Sequence, residues 1–373
     1  MKSQYDRYSI HIKRIFSLAL VLALVIIQNI DSYACTIFTK QQGNVVLVGN
    51  NEDFNYSYES NIWFVASKEG SFGRVCFANA SYVQGGMNEK GLFYDGAACP
   101  TTKVPYSEDK PTLGMNLGEV VLSKCSSVDE AVGFLKNYNI PSNFGDHILF
   151  ADETGKSVIV EWVEGEKKIF PKALDYQIAA NYFLSNPQLG GYPSKRYDTA
   201  KSMLENEEEI SIESFKNILS AVSQVWSNGG TKYSNIYDLK NKDVYVFCKR
   251  DYSKYVSYNL IDEMKKLKKG EKKSYVIDKL EYKTENISLH SSTESNVENG
   301  DKGLSDSLPD QAPIDKPDES TEQTKDSLEY KWWYSVPVVL VVLAFFVKDY
   351  IKIRRDKWTI KNEGLYNKSR FNL

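Results

Sequence analysis

The sequence predicts an α+β fold built on antiparallel sheet. Short alternating apolar runs dominate the first part of the globular region, and helical patterns are interspersed among them later. No regular strand–helix–strand repeat, which would predict a parallel sheet, is present in the sequence. A hairpin opens the pattern, because residues 36–40 and 45–49 alternate like strands around Gln-Gln-Gly-Asn, a sequence typical of a tight turn.

The later elements are predicted from the same periodicities. Strands are expected at residues 148–151, 157–162 and 243–248, the second of them after the turn sequence Asp-Glu-Thr-Gly-Lys. Ser127 precedes acidic residues and an apolar pattern of helical spacing, which is typical of a helix N-terminus. Helices are expected at residues 117–125, 127–137, 197–206 and 211–225.

The composition argues against several functional classes. The chain has 373 residues and a net charge of −3, so it lacks the basic excess typical of nucleic-acid binding, and no nucleic-acid partner is expected. Its five cysteines are few for a disulfide scaffold, although export would allow four of them to form two bridges. They show no CxxC or Cys/His spacing, so no metal site is expected.

Residues 1–34 have the pattern of a secretory signal peptide. Lys13 and Arg14 precede an apolar run at residues 15–27, and Ser-Tyr-Ala at residues 32–34 forms a small-x-small cleavage site. Cleavage after Ala34 would make Cys35 the first residue of the mature chain. A thiol and a free α-amine would then lie on one residue.

Cys35 in that position is a complete nucleophile and base. An α-amine with a pKa near about 8 can accept the proton of a thiol with a pKa near about 8.5. A Cys–His pair is less favoured, because His147 is the one histidine in the globular part, and its place before a strand is typical of a core or edge residue. Two alternatives stay open from the junction alone: Cys35 could carry a lipid anchor or form half of a disulfide.

Residues 35–283 are expected to form the folded domain. Residues 284–330 are rich in Ser, Asp, Glu, Asn, Pro and Lys, which predicts a disordered polar linker. Residues 331–348 combine aromatic residues with an apolar run and predict a single, rather short transmembrane helix, and residues 349–373 predict a basic cytoplasmic tail. The folded domain is therefore expected outside the cytoplasm, anchored to the cell membrane.

The first hairpin brings polar residues to Cys35. If the chain turns at about Gly43, Cys35 lies opposite Asn51, so that Asn50, Asn51 and Asp53 are expected near the thiol. A carboxylate there can hold the α-amine and stabilise its protonated form. In isolation, Asp53 would be interpreted as an ordinary solvated turn residue.

A family resemblance makes this arrangement more specific. Cys35-Thr36, followed after the hairpin by Gly-Asn-Asn-Glu-Asp at residues 49–53, resembles the start of the choloylglycine hydrolase family, also called linear amide C–N hydrolases. This family includes bile salt hydrolases and penicillin V acylases. Stretches at residues 86–92, 152–161, 180–181 and 193–197 are similar to later family motifs in the same order, so the resemblance runs from Cys35 to about Tyr258. It implies an N-terminal-nucleophile hydrolase with a four-layer αββα sandwich of antiparallel sheets.

The resemblance also implies roles for individual residues. Cys35 would be the nucleophile, and Asp53 the carboxylate that orients its amine. Asn181 would donate from its side chain to the tetrahedral oxyanion, and Arg196 would lie beside the nucleophile and favour the thiolate. From the residues alone, Asn181 and Arg196 would be interpreted as a turn residue and a surface cation. No metal and no cofactor is implied.

Two positions depart from the family pattern. Asn50 stands where the family has Arg, so the cation expected close to the thiol is missing there. Ala98 aligns near the family's second asparagine, and the resemblance implies that it contributes its backbone N–H to the oxyanion hole. With Asn51, these two residues make up the expected substrate and oxyanion contacts. The departures argue against a standard bile salt hydrolase and leave thiolate stabilisation more dependent on Arg196.

The function implied is hydrolysis of a linear, non-peptide amide through a thioester acyl-enzyme, with a small-molecule amide as the partner. Conjugated bile acids, acyl side chains of β-lactams, N-acyl amino acids and lipid amides are all open as substrates. An acyltransferase on the same scaffold, in which an amine replaces water, is the alternative. A membrane-anchored binding protein with a degenerate site is the competing class.

Overall fold

The computed structural model of the protein describes residues 35–284. Within this range the strands are β1 Thr36–Gln42, β2 Val45–Asn55, β3 Ser60–Val65, β4 Arg74–Asn79, β5 Tyr82–Asn88, β6 Phe93–Ala98, β7 Asp146–Ala151, β8 Ser157–Val163, β9 Glu166–Pro171, β10 Tyr176–Ala179, β11 Val225–Trp226, β12 Gly229–Asp238, β13 Asp243–Cys248, β14 Asp251–Asn259 and β15 Lys272–Val276. The α-helices are α1 Leu117–Lys124, α2 Val128–Phe134, α3 Lys195–Asn206, α4 Ile212–Ala221 and α5 Leu260–Lys265. Short 3₁₀ helices lie at Leu135–Asn137 and Ile277–Lys279.

The strands form two antiparallel sheets. Sheet I has seven strands in the order β10-β1-β2-β12-β13-β14, with β11 paired to β12. Sheet II has eight strands in the order β15-β3-β4-β5-β6-β7-β8-β9. Sheet I joins the first hairpin of the described chain to β10 and β12, which come much later in the sequence. Residues that are distant in sequence therefore meet along β1 and β2.

The two sheets stack, and helices cover their outer faces. Alternation along β1 points Ile37 toward sheet II, where it shares a core with Phe77, and points Phe38 the other way, against Phe215 of α4. On the outer face of sheet II, α1 and α2 pack over a third core around Tyr94. The layer order is helices, sheet II, sheet I, helices, which is the αββα arrangement that the resemblance implies.

The predicted elements are confirmed with small shifts at their ends. Ser127 is the N-cap of α2, because its side chain accepts a hydrogen bond from the backbone N–H of Glu130. The last predicted helix ends at Ala221 rather than at residue 225, because Val225 and Trp226 pair with β12 as a short strand. Apolar residues continue the helical pattern past Ala221, so periodicity alone did not mark this end.

The register of the first hairpin corrects the sequence estimate by one residue. The turn comprises Gly43, with a φ of +56° that favours glycine, and Asn44, so Gln42 pairs with Val45 and Thr36 with Asn51. A turn centred on Gly43 alone would have set Asn51 opposite Cys35. Because side chains alternate, a shift of one residue exchanges the two faces of a strand.

The described residues contain all five cysteines and almost none of the predicted terminal segments. The predicted signal peptide, linker, transmembrane helix and cytoplasmic tail lie outside the described residues, apart from Thr284 at the start of the linker. Across residues 35–284 the structure contains no helix with the length and apolar character of a membrane span. All five cysteines fall within this range and are free thiols, so no disulfide joins any two of them.

Candidate active site

Cys35 lies directly before β1, on the face of sheet I that is turned toward sheet II. Its side chain is 6% exposed and packs in the core between the sheets. Extended by one residue beyond the pair of Thr36 and Asn51, the hairpin register sets Glu52 of β2 opposite Cys35. The Cys35 Sγ lies 3.5 Å from the Glu52 Oε2. The candidate nucleophile therefore has a buried carboxyl as its side-chain partner. The corrected register explains why Glu52 is absent from the predicted site residues.

Asp53 follows Glu52 on β2 and points to the opposite face of the strand. Its Oδ1 accepts a hydrogen bond from the Thr231 Oγ1 at 2.5 Å, and its Oδ2 accepts one from the Gln224 Nε2 at 2.6 Å. A register shift in β12 after Thr231 accompanies this contact. In the hairpin register Asp53 lies opposite the position before Cys35, which is the nitrogen end of that residue. Of these two consecutive acids, Glu52 contacts the Cys35 thiol, and Asp53 contacts Thr231 and Gln224 on the other face of β2.

Arg196 connects Cys35 to the candidate oxyanion residues. Ser194 caps α3 by accepting from the Tyr197 N–H, which places Arg196 in the first turn of the helix. The Arg196 Nη1 donates to the Cys35 carbonyl oxygen at 2.8 Å and to the Thr36 Oγ1 at 2.5 Å.

The same guanidinium also fixes the amide of Asn181. The Arg196 Nη2 donates to the Asn181 Oδ1 at 3.0 Å. The amide nitrogen of Asn181 in turn donates to the carbonyl oxygen of Ala98 at 2.8 Å. A continuous series of contacts therefore runs from Cys35 through Arg196 and Asn181 to Ala98 at the end of β6. Four of the seven predicted site residues lie in one connected cluster.

The electrostatics of the site are dominated by buried acids. Burial, followed by the charges of Glu52 and Asp53, raises the pKa of the Cys35 thiol well above its ordinary range, and a hydrogen bond from the Asp53 backbone N–H opposes this. Burial raises the pKa of Glu52 to about 8, with the charge of Asp53 as the next cause. Burial also raises the pKa of Asp53 to about 6, while two side-chain hydrogen bonds and the charge of Arg196 lower it. Burial lowers the pKa of Arg196, against the charges of Asp53 and Cys35.

The two asparagines of β2 lie on opposite faces of the strand. The Asn51 Nδ2 donates to the Leu219 carbonyl oxygen of α4 at 2.8 Å, and its Oδ1 accepts from the Ser234 Oγ at 2.6 Å. Asn51 thus faces the helix layer rather than the Cys35 thiol. Asn50 pairs with Ile37 and faces sheet II, where its two side-chain polar atoms are buried and, among the described residues, have no hydrogen-bond partner.

His147 belongs to β7 and contacts Glu161 rather than Cys35. His147 is fully buried in sheet II, and its Nδ1 lies 3.2 Å from the Oε1 of Glu161. This is the core histidine that the sequence favours over a partner for Cys35. Within residues 35–284, no group of three His, Cys, Asp or Glu side chains is arranged to hold a metal ion.

Comparison with known proteins assigns the family. A family model described as acyl-coenzyme A:6-aminopenicillanic acid acyl-transferase matches residues 39–257, more than half of the chain. No curated protein matches the sequence.

Solved structures share the fold at low identity. Penicillin V acylase from Agrobacterium tumefaciens is 19% identical, with a TM-score of 0.50, and the match covers 58% of this chain and 83% of that one. One variant of the conjugated bile acid hydrolase from Clostridium perfringens is 20% identical, with a TM-score of 0.52, covering 69% of this chain and 100% of that one. A second variant is 19% identical, with a TM-score of 0.51, covering 68% and 97%. The chain therefore belongs to the acyl-coenzyme A:6-aminopenicillanic acid acyl-transferase family, within the choloylglycine hydrolase-like N-terminal-nucleophile enzymes.

Proposed function

We propose that this protein is an amidase in which Cys35, as the N-terminal residue of the mature chain, attacks a linear, non-peptide amide. The observation that carries the proposal is the connected cluster of Cys35, Arg196, Asn181 and Ala98. It links the backbone of the thiol-bearing residue to a cation, and that cation to an amide donor, at the start of β1, where an N-terminal nucleophile would lie. The matched family supports the same chemistry.

The proposed reaction balances without a cofactor. The thiol proton moves to the α-amine, and the sulfur attacks the carbonyl carbon to form a C–S bond. The oxyanion of the tetrahedral intermediate faces the Asn181 amide, and the α-ammonium then gives its proton to the leaving amine as the C–N bond breaks. Water attacks the thioester carbon as the α-amine takes up its proton, the C–S bond breaks to release the carboxylic acid, and the α-ammonium returns a proton to the sulfur. Asp53 would hold the ammonium in both stages.

The structural neighbours support a small-molecule amide as substrate. Their names describe an acylase of penicillin V and a hydrolase of conjugated bile acids. The departures at Asn50 and Ala98 separate this chain from the family pattern, so the acyl group that it accepts is best found with a panel of N-acyl amides. Trapping the acyl-thioester on Cys35 by mass spectrometry would identify it directly.

Acyl transfer is the second candidate, because the matched family is described as an acyl-transferase. The thioester would be the same, and an amine would replace water as its acceptor. Adding a series of amines to a working hydrolysis reaction separates the two functions. A transferase gives new amides at the expense of the carboxylate, whereas a hydrolase gives the same carboxylate at every amine concentration.

We also propose that the domain is exported and anchored to the cell membrane by residues 331–348. The pattern of residues 1–34 and the aromatic and basic flanks of the apolar run support this. Protease treatment of intact cells should remove the domain, and extraction with alkaline carbonate should leave the C-terminal segment in the membrane. Release of the whole chain by carbonate would contradict the anchor.

One experiment tests the core of the proposal. The intact mass of the exported protein should show a chain that begins at Cys35 and carries no lipid. Cys35→Ser should abolish turnover of the amide that acylates the wild type. Cys248→Ser, which removes a half-buried thiol elsewhere in sheet I, should keep it. Turnover by a chain that begins at another residue would contradict the mechanism.

A further inference from the structure

We propose that Glu52 is a catalytic residue that stays a neutral carboxylic acid and donates a hydrogen bond to the Cys35 sulfur as that sulfur becomes anionic. The inference rests on the proposed role of Cys35 as the nucleophile, and it adds the group that stabilises the thiolate. Glu52 is 1% exposed, and its Oε2 lies 3.5 Å from the Cys35 Sγ. An ionised carboxylate at that distance would oppose a thiolate, whereas a carboxylic acid would stabilise it.

The hydrogen bonds around Glu52 assign a different role to each of its oxygens. Ser60 and Asn79 are a cross-strand pair of β3 and β4, and the Ser60 Oγ donates to the Asn79 Oδ1 at 2.6 Å. This leaves the amide nitrogen of Asn79 pointing at Glu52, where it donates to Oε1 at 2.8 Å. Oε1 is therefore an acceptor. At Oε2 the Cys35 thiol is the donor in the resting site, and a protonated Oε2 can donate in return once the thiol has lost its proton.

The charges that surround Glu52 favour its neutral form. The ion pairs of the described residues include no bond to Glu52. Lys232 is a cation that interacts electrostatically with Glu52, and its ammonium donates to the carbonyl oxygen of Tyr58. Burial and the neighbouring Asp53 raise the pKa of Glu52 to about 8. The titratable groups that interact electrostatically with Glu52 are Cys35, Asp53, Tyr82, Asp95, Asp146, Lys232, Tyr233 and Tyr237.

Asn50 lies on the same face of β2 as Glu52. Residues 50 and 52 both point toward sheet II, so an arginine at position 50 would stand beside Glu52. Asn50 has no charge and, in the part of the chain that the structure describes, no hydrogen-bond partner for its side chain. Nothing at this position holds Glu52 ionised. A neutral acid can therefore take the place that the family gives to a cation.

The proposed step conserves protons. The thiol proton moves to the α-amine, and Glu52 keeps its own proton while its O–H turns to the sulfur. When the C–S bond forms, the sulfur loses its charge and the hydrogen bond weakens. The same bond forms again when the thioester breaks and the sulfur leaves. Glu52 thus stabilises the sulfur in the two steps in which it carries charge.

The test measures alkylation of Cys35 by iodoacetamide between pH 6 and 10, which needs no substrate. The full-length protein is processed by an exporting host, and Cys35 is followed by peptide mass spectrometry. Glu52→Gln keeps a neutral donor at the sulfur but cannot ionise. The ratio of its rate to the wild-type rate should be constant up to about pH 7, about double at pH 8 and reach about tenfold by pH 9, because Glu52 is half ionised at its pKa and about nine-tenths ionised one unit above it. Glu52→Leu has no donor and should react at least about tenfold more slowly than Glu52→Gln at pH 7.

Two further variants separate this role from a structural one. Asn79→Ala removes a hydrogen bond that lowers the pKa of Glu52. The pH at which the alkylation rate falls behind that of Glu52→Gln should therefore be higher in this variant than in the wild type. Asp152→Asn neutralises a buried carboxyl in the turn between β7 and β8 that accepts from the Val128 N–H, and its profile should stay close to wild type. These variants keep the test open if Glu52→Gln does not fold.

Two results would overturn the proposal. One is a Glu52→Gln protein that alkylates as slowly as Glu52→Leu near neutral pH, because Glu52 would then act as an ionised base. The other is a rate ratio that stays flat from pH 6 to 10. If no amide is turned over but the alkylation pattern is found, the proposed function fails and the role of Glu52 toward the sulfur stands.

Discussion

Arg196 offers the sharpest test of the connected cluster, because the proposed function makes its contacts matter for catalysis as well as for stability. Arg196→Met keeps the apolar stem and removes the donors to the Cys35 carbonyl oxygen, the Thr36 hydroxyl and the Asn181 amide oxygen. Hydrogen bonds from a charged donor contribute about 1.5–3 kcal/mol each, and a half-buried guanidinium keeps only part of that sum. We expect the free energy of unfolding to fall by about 2–4 kcal/mol.

The effect on catalysis is expected to be separate from this loss of stability and of similar size. Without Arg196, the Asn181 side chain loses the partner that fixes its amide at Ala98. Loss of one oxyanion donor costs about 10²–10³ in kcat, so we expect a fall of at least about 10² in kcat for Arg196→Met. Arg196→Lys should recover part of the stability but little of the activity, since one ammonium cannot span the three acceptors.

Arg74 supplies the matched control. It is also a partly buried arginine, and its Nη2 lies 2.7 Å from the Glu119 Oε1 on the far side of sheet II. Arg74→Met should lower the free energy of unfolding by a comparable amount and leave kcat unchanged. Urea denaturation and hydrolysis of an N-acyl p-nitroanilide at pH 7 give the two measurements. An Arg196→Met enzyme that loses stability as Arg74→Met does, but keeps wild-type kcat, would refute the assignment.

Three further predictions follow from β2. Asp53→Asn removes the charge at the nitrogen end of Cys35, so the pKa of the α-amine should fall. The acid limb of the pH–rate profile should therefore move to lower pH, and kcat should fall by about tenfold or more. An unchanged profile would argue against contact between Asp53 and the amine. Glu52 has its pKa raised from 4.5 to about 8 in the folded protein, so its contribution to stability is present below pH 4.5 and is lost as the pH rises through about 8. The free energy of unfolding of Glu52→Gln, measured by urea denaturation, should therefore rise relative to that of the wild type by a few kcal/mol between pH 5 and pH 9, on the order of the pKa shift. The same pH dependence of stability in the two proteins would contradict a buried acid at Glu52. Asn51→Leu removes the amide that pairs with the buried Leu219 carbonyl and Ser234 hydroxyl, and it should lower the free energy of unfolding by about 2–3 kcal/mol. The rate of Cys35 alkylation should stay unchanged. Slower alkylation would show that Asn51 acts on the thiol.

Local patterns predicted much of the fold. The first hairpin, the turn between β7 and β8, and the start of α2 at Ser127 are all fixed by neighbouring residues, whose turn and capping preferences are visible in the sequence. The stacking of the two sheets depends on pairing between distant strands, such as β2 with β12, and it came from the family resemblance rather than from periodicity.

The site was less accessible to sequence reasoning, for two physical reasons. Glu52 was missed because a two-residue turn, and not a turn centred on one residue, sets the hairpin register, and one residue decides which side chain meets the thiol. Thr231 and Gln224 were missed because they reach Asp53 from about 170 positions away in the chain, with separations of 178 and 171 residues. No local signal in the sequence marks such a contact.

The positions of Asn50, Glu52 and Asp53 are best understood together. A strand presents alternate residues to alternate faces, so β2 can supply one acid to the thiol and the next to the nitrogen end of Cys35. The acid at the nitrogen end is useful when it is charged, because it stabilises an ammonium. The acid at the thiol is useful when it is neutral, because it stabilises a thiolate. The pKa of Asp53 is raised only to about 6 by burial, since Thr231 and Gln224 donate to it, whereas the pKa of Glu52 is raised to about 8. Near pH 7 the two acids would therefore differ in charge, and an arginine at position 50 would remove that difference by holding Glu52 ionised.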